Sequence, residues 1–588
     1  MERRPLHRGG CLVQEVARAR LMAMRPTLYG SRHAVSAGHY LASAAAFSIL
    51  ESGGNAIDAG CCAGMALAVL HPDEVNFAGV APIMIRTGAG KVVTIAGLGY
   101  WPKAFPKDLF MREYNGTQPL GVLRTVVPAA PDAWITALRD FGSMSFGDVA
   151  AAAIRFAKEG FGVGEFLANE FAKHEEDYRQ WPSNVKLFQP EGRAVRLNER
   201  FVQSDLAATI QYMVDEERAA AAKGRDAGLE AARAAFYAGD IAVRIAEHQK
   251  EEGGYLSFED LANFHSRYEE PVITRWRDFQ VLTCGPWCQG PMLAQALLMV
   301  ERAGLGDLKH NEPAYIHLIT EILKGAFADR EYHYGDPLFV DVGLETLFSA
   351  EHIEKRVGAI DPKVAMPDMP PDLYHNSKIP KGATTISEAP SERDPDTSYL
   401  CVVDRWGNAF SATPSDASWR APVVPGLGIV PSGRGTQSRP DPNHPSGVAP
   451  GKRPRLTPNP AILLRDDGSV MPFGAPGGDA QVQAMLQVAL NAFHFDMDIQ
   501  EAIDAPRFIT MSFPNSFAPY NHYPGLLGLE GRFSSSTHDE LVTLGHKIEE
   551  FPAYSRRLAS VEAVLYEPAT GFFRSGADPR QPAYAITV

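Results

Sequence analysis

A threonine can act as its own acid–base catalyst when the chain is cut immediately before it, because the freed α-amine can take the proton of its own hydroxyl. Thr397 stands where that chemistry is possible. The residues Asp396-Thr397-Ser398 open the near-continuous apolar run Tyr399-Leu400-Cys401-Val402-Val403. Such a run reads as a strand buried on both faces. Asp404 to Asn408, with Gly407 inside, is turn chemistry, and Ala409-Phe410-Ser411 starts the returning strand. Thr397 thus falls at the mouth of a central hairpin, directly after a segment dominated by Pro, Asp, Ser and Lys. Thr384-Thr385 has similar surroundings, but it runs into Ile-Ser-Glu-Ala-Pro, which does not continue as a strand.

A second candidate is Phe473-Gly474-Ala475-Pro476-Gly477-Gly478-Asp479-Ala480. Gly477 and Gly478 lie between a predicted strand and a predicted helix. Glycine lets backbone N–H groups approach a ligand, and a helix N-terminus favours negative charge. The pair therefore suits an oxyanion hole; a structural turn accounts for the same residues equally well. It matches no phosphate-binding glycine motif. A third candidate is the Pro-rich stretch Gly433 to Pro460, which carries Arg434, Arg439, Lys452, Arg453 and Arg455. An arginine fork suits a carboxylate, while most of these charges read as solvated.

No metal site or cofactor is expected. The 17 histidines, among them His265, His310, His317, His333 and His444, show no His-Glu-x-x-His. Neither a glycosidase carboxylate pair nor a Gly-x-Ser-x-Gly elbow is present.

The elements that must hold these residues follow from periodicity and turn signals. His39–Glu51 and Ala56–Leu70 read as helices around Ser52-Gly53-Gly54-Asn55. Ile83–Arg86 and Val92–Ile95 read as a strand pair. Helical spacing marks Phe146–Gly160, Asp226–Phe236 and Asn311–Tyr334, the last with Glu312 and Pro313 at its start. Residues 360–396 read as a flexible linker of unusual length. Ala461–Leu464 and Val470–Phe473 read as short strands, and Gln481–Phe495 as an apolar helix.

Composition is that of an ordinary globular enzyme, 45% hydrophobic and 21% charged. The net charge of −14 argues against a general nucleic-acid binder. No stretch is apolar and long enough to suggest a membrane span. The Arg-rich start, Met1 to Arg25, lacks the apolar core of a secretory signal. Six irregularly spaced cysteines fit a reduced, cytoplasmic setting, although Cys284 and Cys288 could pair.

Taken in order, several motifs make the chain resemble the γ-glutamyltranspeptidase family of N-terminal nucleophile hydrolases. They are Gly53-Gly54-Asn55-Ala56-Ile57-Asp58-Ala59, Phe236-Tyr237-Ala238-Gly239-Asp240, Gly253-Gly254-Tyr255-Leu256, Asp396-Thr397-Ser398, Pro450-Gly451-Lys452-Arg453-Pro454, Pro476-Gly477-Gly478 and Asp504-Ala505-Pro506-Arg507-Phe508. The resemblance covers roughly residues 27 to 588. It implies a four-layer αββα sandwich, made as a precursor that cuts itself at Asp396–Thr397. Residues 1–26 would be an N-terminal extension, 27–396 a large subunit and 397–588 a small one. The two subunits would stay together as a heterodimer, with a dimer of these left open. Thr397 would be nucleophile and, through its amine, general base. Gly477 and Gly478 match the family's oxyanion glycines, and Ser415 matches a second hydroxyl. Leu98, Asp416, Ala417, Arg434 and Thr457 fall at or beside substrate-binding positions.

Two matches depart from the family pattern. The family's carboxylate-reading Arg is Leu98 here, and an Asn after the second hydroxyl is Ala417. An apolar side chain cannot replace a charge-assisted contact worth roughly 1.5–3 kcal/mol. Arg420 or Arg434 could compensate. The resemblance implies transfer or hydrolysis of a γ-glutamyl group. The alternative is hydrolysis of another small-molecule amide, as in the family's oxamate amidohydrolase and cephalosporin acylase branches. A non-catalytic binding protein on the same fold is the competing class.

Overall fold

The computed structural model describes residues 23–374 and 396–588. The expected N-terminal extension, with Cys11, falls almost wholly outside these residues. Thr384, Thr385 and most of the expected linker do too.

Two seven-stranded sheets form the centre. One has the order Leu28–Gly30, Phe572–Ala577, Glu562–Glu567, Val470–Gly474, Ala461–Arg465, Phe279–Thr283 and Val272–Trp276. The other has the order Tyr584–Thr587, Ala34–Ala37, Leu400–Val403, Ala409–Ala412, Ile83–Arg86, Val92–Ile95 and Tyr268–Glu269. All the pairings within these two sheets are antiparallel. Both sheets combine strands from before and after Thr397, so neither part of the chain completes a sheet alone.

The alternation of side chains explains the layers. Tyr399, Cys401 and Val403 point to the same interior as Leu282, Ile462, Val470 and Val564, which fills the space between the sheets. Leu400 and Val402 point the other way, onto helices Tyr40–Glu51, Ala56–Leu70 and Ala130–Phe141. Across the molecule, Val281, Leu463, Met471 and Phe473 pack on Gly290–Ala303, Pro313–His333 and Ala480–Phe493. The result is an αββα sandwich, and it accounts for the unbroken apolar run after Thr397.

Local chemistry sets the element ends. Asn55 caps Ala56–Leu70 in a capping box with Asp58. The same helix start donates Ala56 N–H to Asp404, 2.8 Å away in the hairpin turn. Two segments distant in sequence are thereby fixed to each other. Helix Pro313–His333 starts two residues later than expected, because Asn311 has φ 58° and Glu312 is extended before the proline. Helix Phe146–Glu159 stops at Gly160, whose φ is 76°. Helix Ala480–Phe493 ends two residues earlier than the apolar pattern suggests.

The described part of the expected linker is largely exposed but is tied to helix Pro313–His333 at Met366. Met366 N–H donates to Glu321 at 2.9 Å, and its carbonyl accepts from Lys324 at 2.7 Å. Cys284 and Cys288 are free, buried thiols.

Candidate active site

Asp396 and Thr397 lie just ahead of strand Leu400–Val403, and both are buried. The Thr397 hydroxyl contacts the carbonyl oxygen of Asp396. Ser415 Oγ lies 2.7 Å from Thr397 Oγ1 and 3.1 Å from the same carbonyl oxygen. Ser415 follows the partner strand Ala409–Ala412 and is held to Val80 by a reciprocal pair of backbone bonds of 3.0 and 3.2 Å. Arg434 completes the group. Its Nη2 donates to the Asp396 carbonyl at 3.3 Å and also contacts Ser415 Oγ.

The Asp396 carboxylate is cradled as well. Arg434 Nη2 lies 2.9 Å from one oxygen. Ala417 N–H donates to the other at 2.8 Å, and Arg420 Nε is 3.5 Å from it. Burial opposes the charge, but Arg420 and then Arg434 hold this carboxyl below its ordinary value. Ala417 thus contributes a backbone donor here, while its methyl packs in the core.

Asp416 takes a different part. Its φ is 120°, a region normally left to glycine. Ser432 Oγ donates to it at 2.6 Å and Gly433 N–H at 3.2 Å, and its own N–H donates to Glu74 at 3.0 Å. Gly79 makes room: a Cβ there would fall 2.2 Å from the Ser415 carbonyl oxygen. Burial pushes the Asp416 carboxyl up to about 6, against the pull of Arg434 and aided by Asp396. Its Oδ1 lies 3.4 Å from Arg434 Nε, so one arginine bridges two carboxylates.

Gly477 and Gly478 occupy the wall of an adjoining cavity, together with Trp419, Arg420, Phe517 and Arg557. Arg420 is therefore common to the cavity and the Asp396 cradle, and its guanidinium lies over the rings of Trp419 and Phe517. Gly477 has φ 121°, and a Cβ there would lie 2.8 Å from that of Ala559. Ala559 is held by Arg507, which donates to its carbonyl at 2.9 Å and pairs with Asp578 at 2.6 Å. The motif Asp504-Ala505-Pro506-Arg507 thus buttresses the glycine loop. Among the described residues, the N–H groups of Gly477 and Gly478 have no backbone acceptor. With the Gln481 amide nitrogen facing the carbonyls of Thr457 and Ala475 (3.0 and 3.1 Å), its oxygen accepts from Gly478 N–H at 3.3 Å. That bond is long enough to yield readily to a better acceptor.

Thr457 joins the site through this amide and through Gln437, whose Nε2 donates to its hydroxyl at 3.0 Å. Leu98 does not reach the glycine cavity. It lines a second cavity with Lys103, His265, Arg267 and Arg453.

The basic stretch is not the solvated loop that its composition suggests. Arg434, Arg439, Lys452, Arg453 and Arg455 are all buried. Arg439 and Arg455 converge on Glu331 at 2.7 and 2.8 Å. Arg453 spans Glu269 and Asp336 at 2.7 and 2.9 Å. These carboxylates come from distant segments, which hides the pairing in sequence. Asp479 is another residue whose role sequence reasoning missed. It receives Ser516 N–H and Oγ, both at 2.7 Å, and pairs with Arg330, pinning the chain just after the glycines.

The histidines also differ from expectation. His317 and His546 meet at 2.9 Å beside Glu321, a grouping that could hold a metal ion. Here Glu321 faces the Lys324 ammonium at 2.7 Å, so a cation already serves it. Among the described residues no helix is long and apolar enough to cross a membrane.

An αββα sandwich with a hydroxyl residue just ahead of a central strand is the architecture of N-terminal nucleophile hydrolases. Within that class, the chain belongs to the γ-glutamyltranspeptidase family, whose model matches residues 42–588. It is 28% identical over 573 residues to the glutathione hydrolase-like YwrD proenzyme of Bacillus subtilis, covering 96% of this chain and 100% of that one. The solved structure of LmbA2991HD is 33% identical, with a TM-score of 0.90, 97% of this chain and 100% of that one covered. The cephalosporin acylase of Bacillus halodurans is 27% identical, with a TM-score of 0.83 over 96% of this chain and 98% of that one.

Proposed function

We propose that this chain is a self-processing amide hydrolase or acyltransferase whose nucleophile is Thr397. The observation that carries the reading is the contact of the Thr397 hydroxyl with the Asp396 carbonyl, beside Ser415 and Arg434. Thr397 Oγ1 attacks the Asp396 carbonyl carbon. Ser415 and Arg434 stabilise the oxygen as it gains charge. The C–N bond breaks, the hydroxyl proton passes to the nitrogen, and an ester remains. Water hydrolyses it, leaving a large subunit ending at Asp396 and a small one beginning at Thr397.

The freed α-amine, with an ordinary pKa of about 8, is partly neutral near pH 7 and can take the hydroxyl proton. Thr397 then attacks a substrate amide, Gly477 and Gly478 receive the oxyanion, and the acyl group passes to water or an amine. The two N–H groups without backbone partners support that role for the glycines.

Glutathione-type γ-glutamyl transfer is the nominal activity, consistent with the glutathione hydrolase-like relative. A second reading, an acylase acting on a different amide, is favoured by Leu98. That residue brings no charge and lines another cavity. The test is a panel of amides given to the purified protein, with a γ-glutamyl anilide included. Turnover that vanishes in Thr397→Ala supports the assignment. Turnover that persists in that variant removes Thr397 as nucleophile.

A further inference from the structure

The cavity that Leu98 lines has no part in the amide chemistry. Its volume is about 450 Å³, within the range of small-molecule pockets. Thr397, Ser415, Gly477 and Gly478 are not among its lining residues, and it shares none with the glycine cavity. Lys103, His265 and Arg267 reach it from two segments, and all three are exposed. Among the described residues none of the three has an ion-pair partner. The further cation of the lining, Arg453, is already matched by Glu269 and Asp336 at 2.7 and 2.9 Å. Among the described lining residues Asp336 is the one carboxylate, and it is engaged as well: it accepts from the N–H groups of Arg453 and Leu338 at 3.0 and 3.2 Å. Lys103 and Arg267 therefore leave the cavity positive, in a chain whose net charge is −14. Like charges gathered in a concave site focus a field that draws in an anion.

Backbone bonds fix the walls. Ala96 N–H donates to the Arg267 carbonyl at 2.9 Å, which sets the segment of His265 and Arg267 against the end of strand Val92–Ile95. Trp101 N–H donates to the Lys452 carbonyl and Gly451 N–H to the Trp101 carbonyl, both at 2.9 Å. Lys103 N–H donates to Asp260 at 3.1 Å. A ligand entering here orders side chains but little backbone, which keeps the cost of binding low. Tyr100 and Leu338 add apolar surface beside the charges.

We infer that this cavity is a second binding site, separate from the amide chemistry, for a phosphate monoester with a small apolar body. The phosphate lies between Lys103 and Arg267, with His265 as a further donor, and the organic part rests against Tyr100 and Leu338. A guanidinium fork and an ammonium suit the several oxygens of a phosphate. Two cations at close range favour a dianion over a single carboxylate. The inference goes beyond the amidase reading and stands whether or not Thr397 is a nucleophile.

The probe is phenyl phosphate, titrated calorimetrically into the Thr397→Ala chain, where Asp396 still lies between Arg420 and Arg434. It should bind saturably and about 10-fold or more tighter than benzoate. Lys103→Gln and Arg267→Gln should each weaken it by about 10-fold or more, on the scale of a lost charge-assisted hydrogen bond. Both side chains are exposed, so the ligand-free thermal midpoints should stay at the parent value, which separates lost binding from lost folding. Arg557→Gln, in the glycine cavity, should leave the affinity unchanged. Absence of saturable binding, affinity that survives both the Lys103 and Arg267 substitutions, or a loss confined to Arg557→Gln would overturn the site. Benzoate binding as tightly as phenyl phosphate would overturn the choice of a dianion.

Discussion

The hydroxyls of Thr397 and Ser415 meet at 2.7 Å although the residues are 18 positions apart. The hairpin of strands Leu400–Val403 and Ala409–Ala412 brings them together, and Ser415 reaches the carbonyl that Thr397 would attack. Ser415→Ala should therefore slow self-cleavage by about 10–100-fold without changing where the chain is cut, since one hydrogen bond to a developing charge is lost. A time course of fragment appearance, read on a denaturing gel, measures this.

Arg434 holds the Asp396 carbonyl, its carboxylate and Asp416 together. Arg434→Met should slow self-cleavage by about 100-fold or more. Arg434→Lys should recover only part of the rate, because a point charge cannot make all three contacts. Full rates in both variants would remove Arg434 from the chemistry.

On the proposed mechanism, different groups serve the two stages. Ser415 and Arg434 contact the Asp396 carbonyl, whereas Gly477 and Gly478 line the neighbouring cavity. Gly477→Ala should thus leave self-cleavage within a few-fold of wild type while lowering amide turnover about 100-fold. Its positive φ and the crowding against Ala559 should also cost about 1–3 kcal/mol of stability. Equal losses in cleavage and turnover would argue against two separate oxygen-binding sets.

How much of this was readable in the sequence depends on how local the determining contacts are. The helix that follows Asn55, the doubly buried strand after Tyr399 and the turn at Gly407 are set by neighbours in the chain, and each formed as expected. The mouth of the hairpin was legible for the same reason. The basic stretch was misread because an arginine's partner decides its burial, and Glu331, Asp336 and Glu269 lie far away in sequence. Asp479 was passed over because its partners Arg330 and Ser516 come from two other segments. Leu98 could be matched to a family position, but which cavity it lines is a property of the folded chain.

Glu331 gives that buried network a pH signature. Burial pushes its carboxyl up, but Arg439, Arg455 and His444 outweigh this and hold it well below its ordinary value. The native state therefore binds fewer protons than the unfolded chain in the acid range. The stabilisation is fully present above the unfolded value of about 4.3 and is lost as pH falls toward the depressed native one. Glu331→Gln should lower stability by about 3–5 kcal/mol at pH 7, because it strands buried cations. The gap to wild type should narrow below about pH 4. Denaturant titrations of both proteins across the acid range check the sign.

The most direct test of the central claim is the N-terminal residue of the smaller fragment. The purified protein, incubated without added protease, is analysed by intact mass and N-terminal sequencing. The account predicts a fragment beginning Thr397-Ser398-Tyr399, its partner ending at Asp396, and a single uncut chain for Thr397→Ala. A wild-type chain that stays whole after prolonged incubation, or one that is cut at another bond, would contradict it.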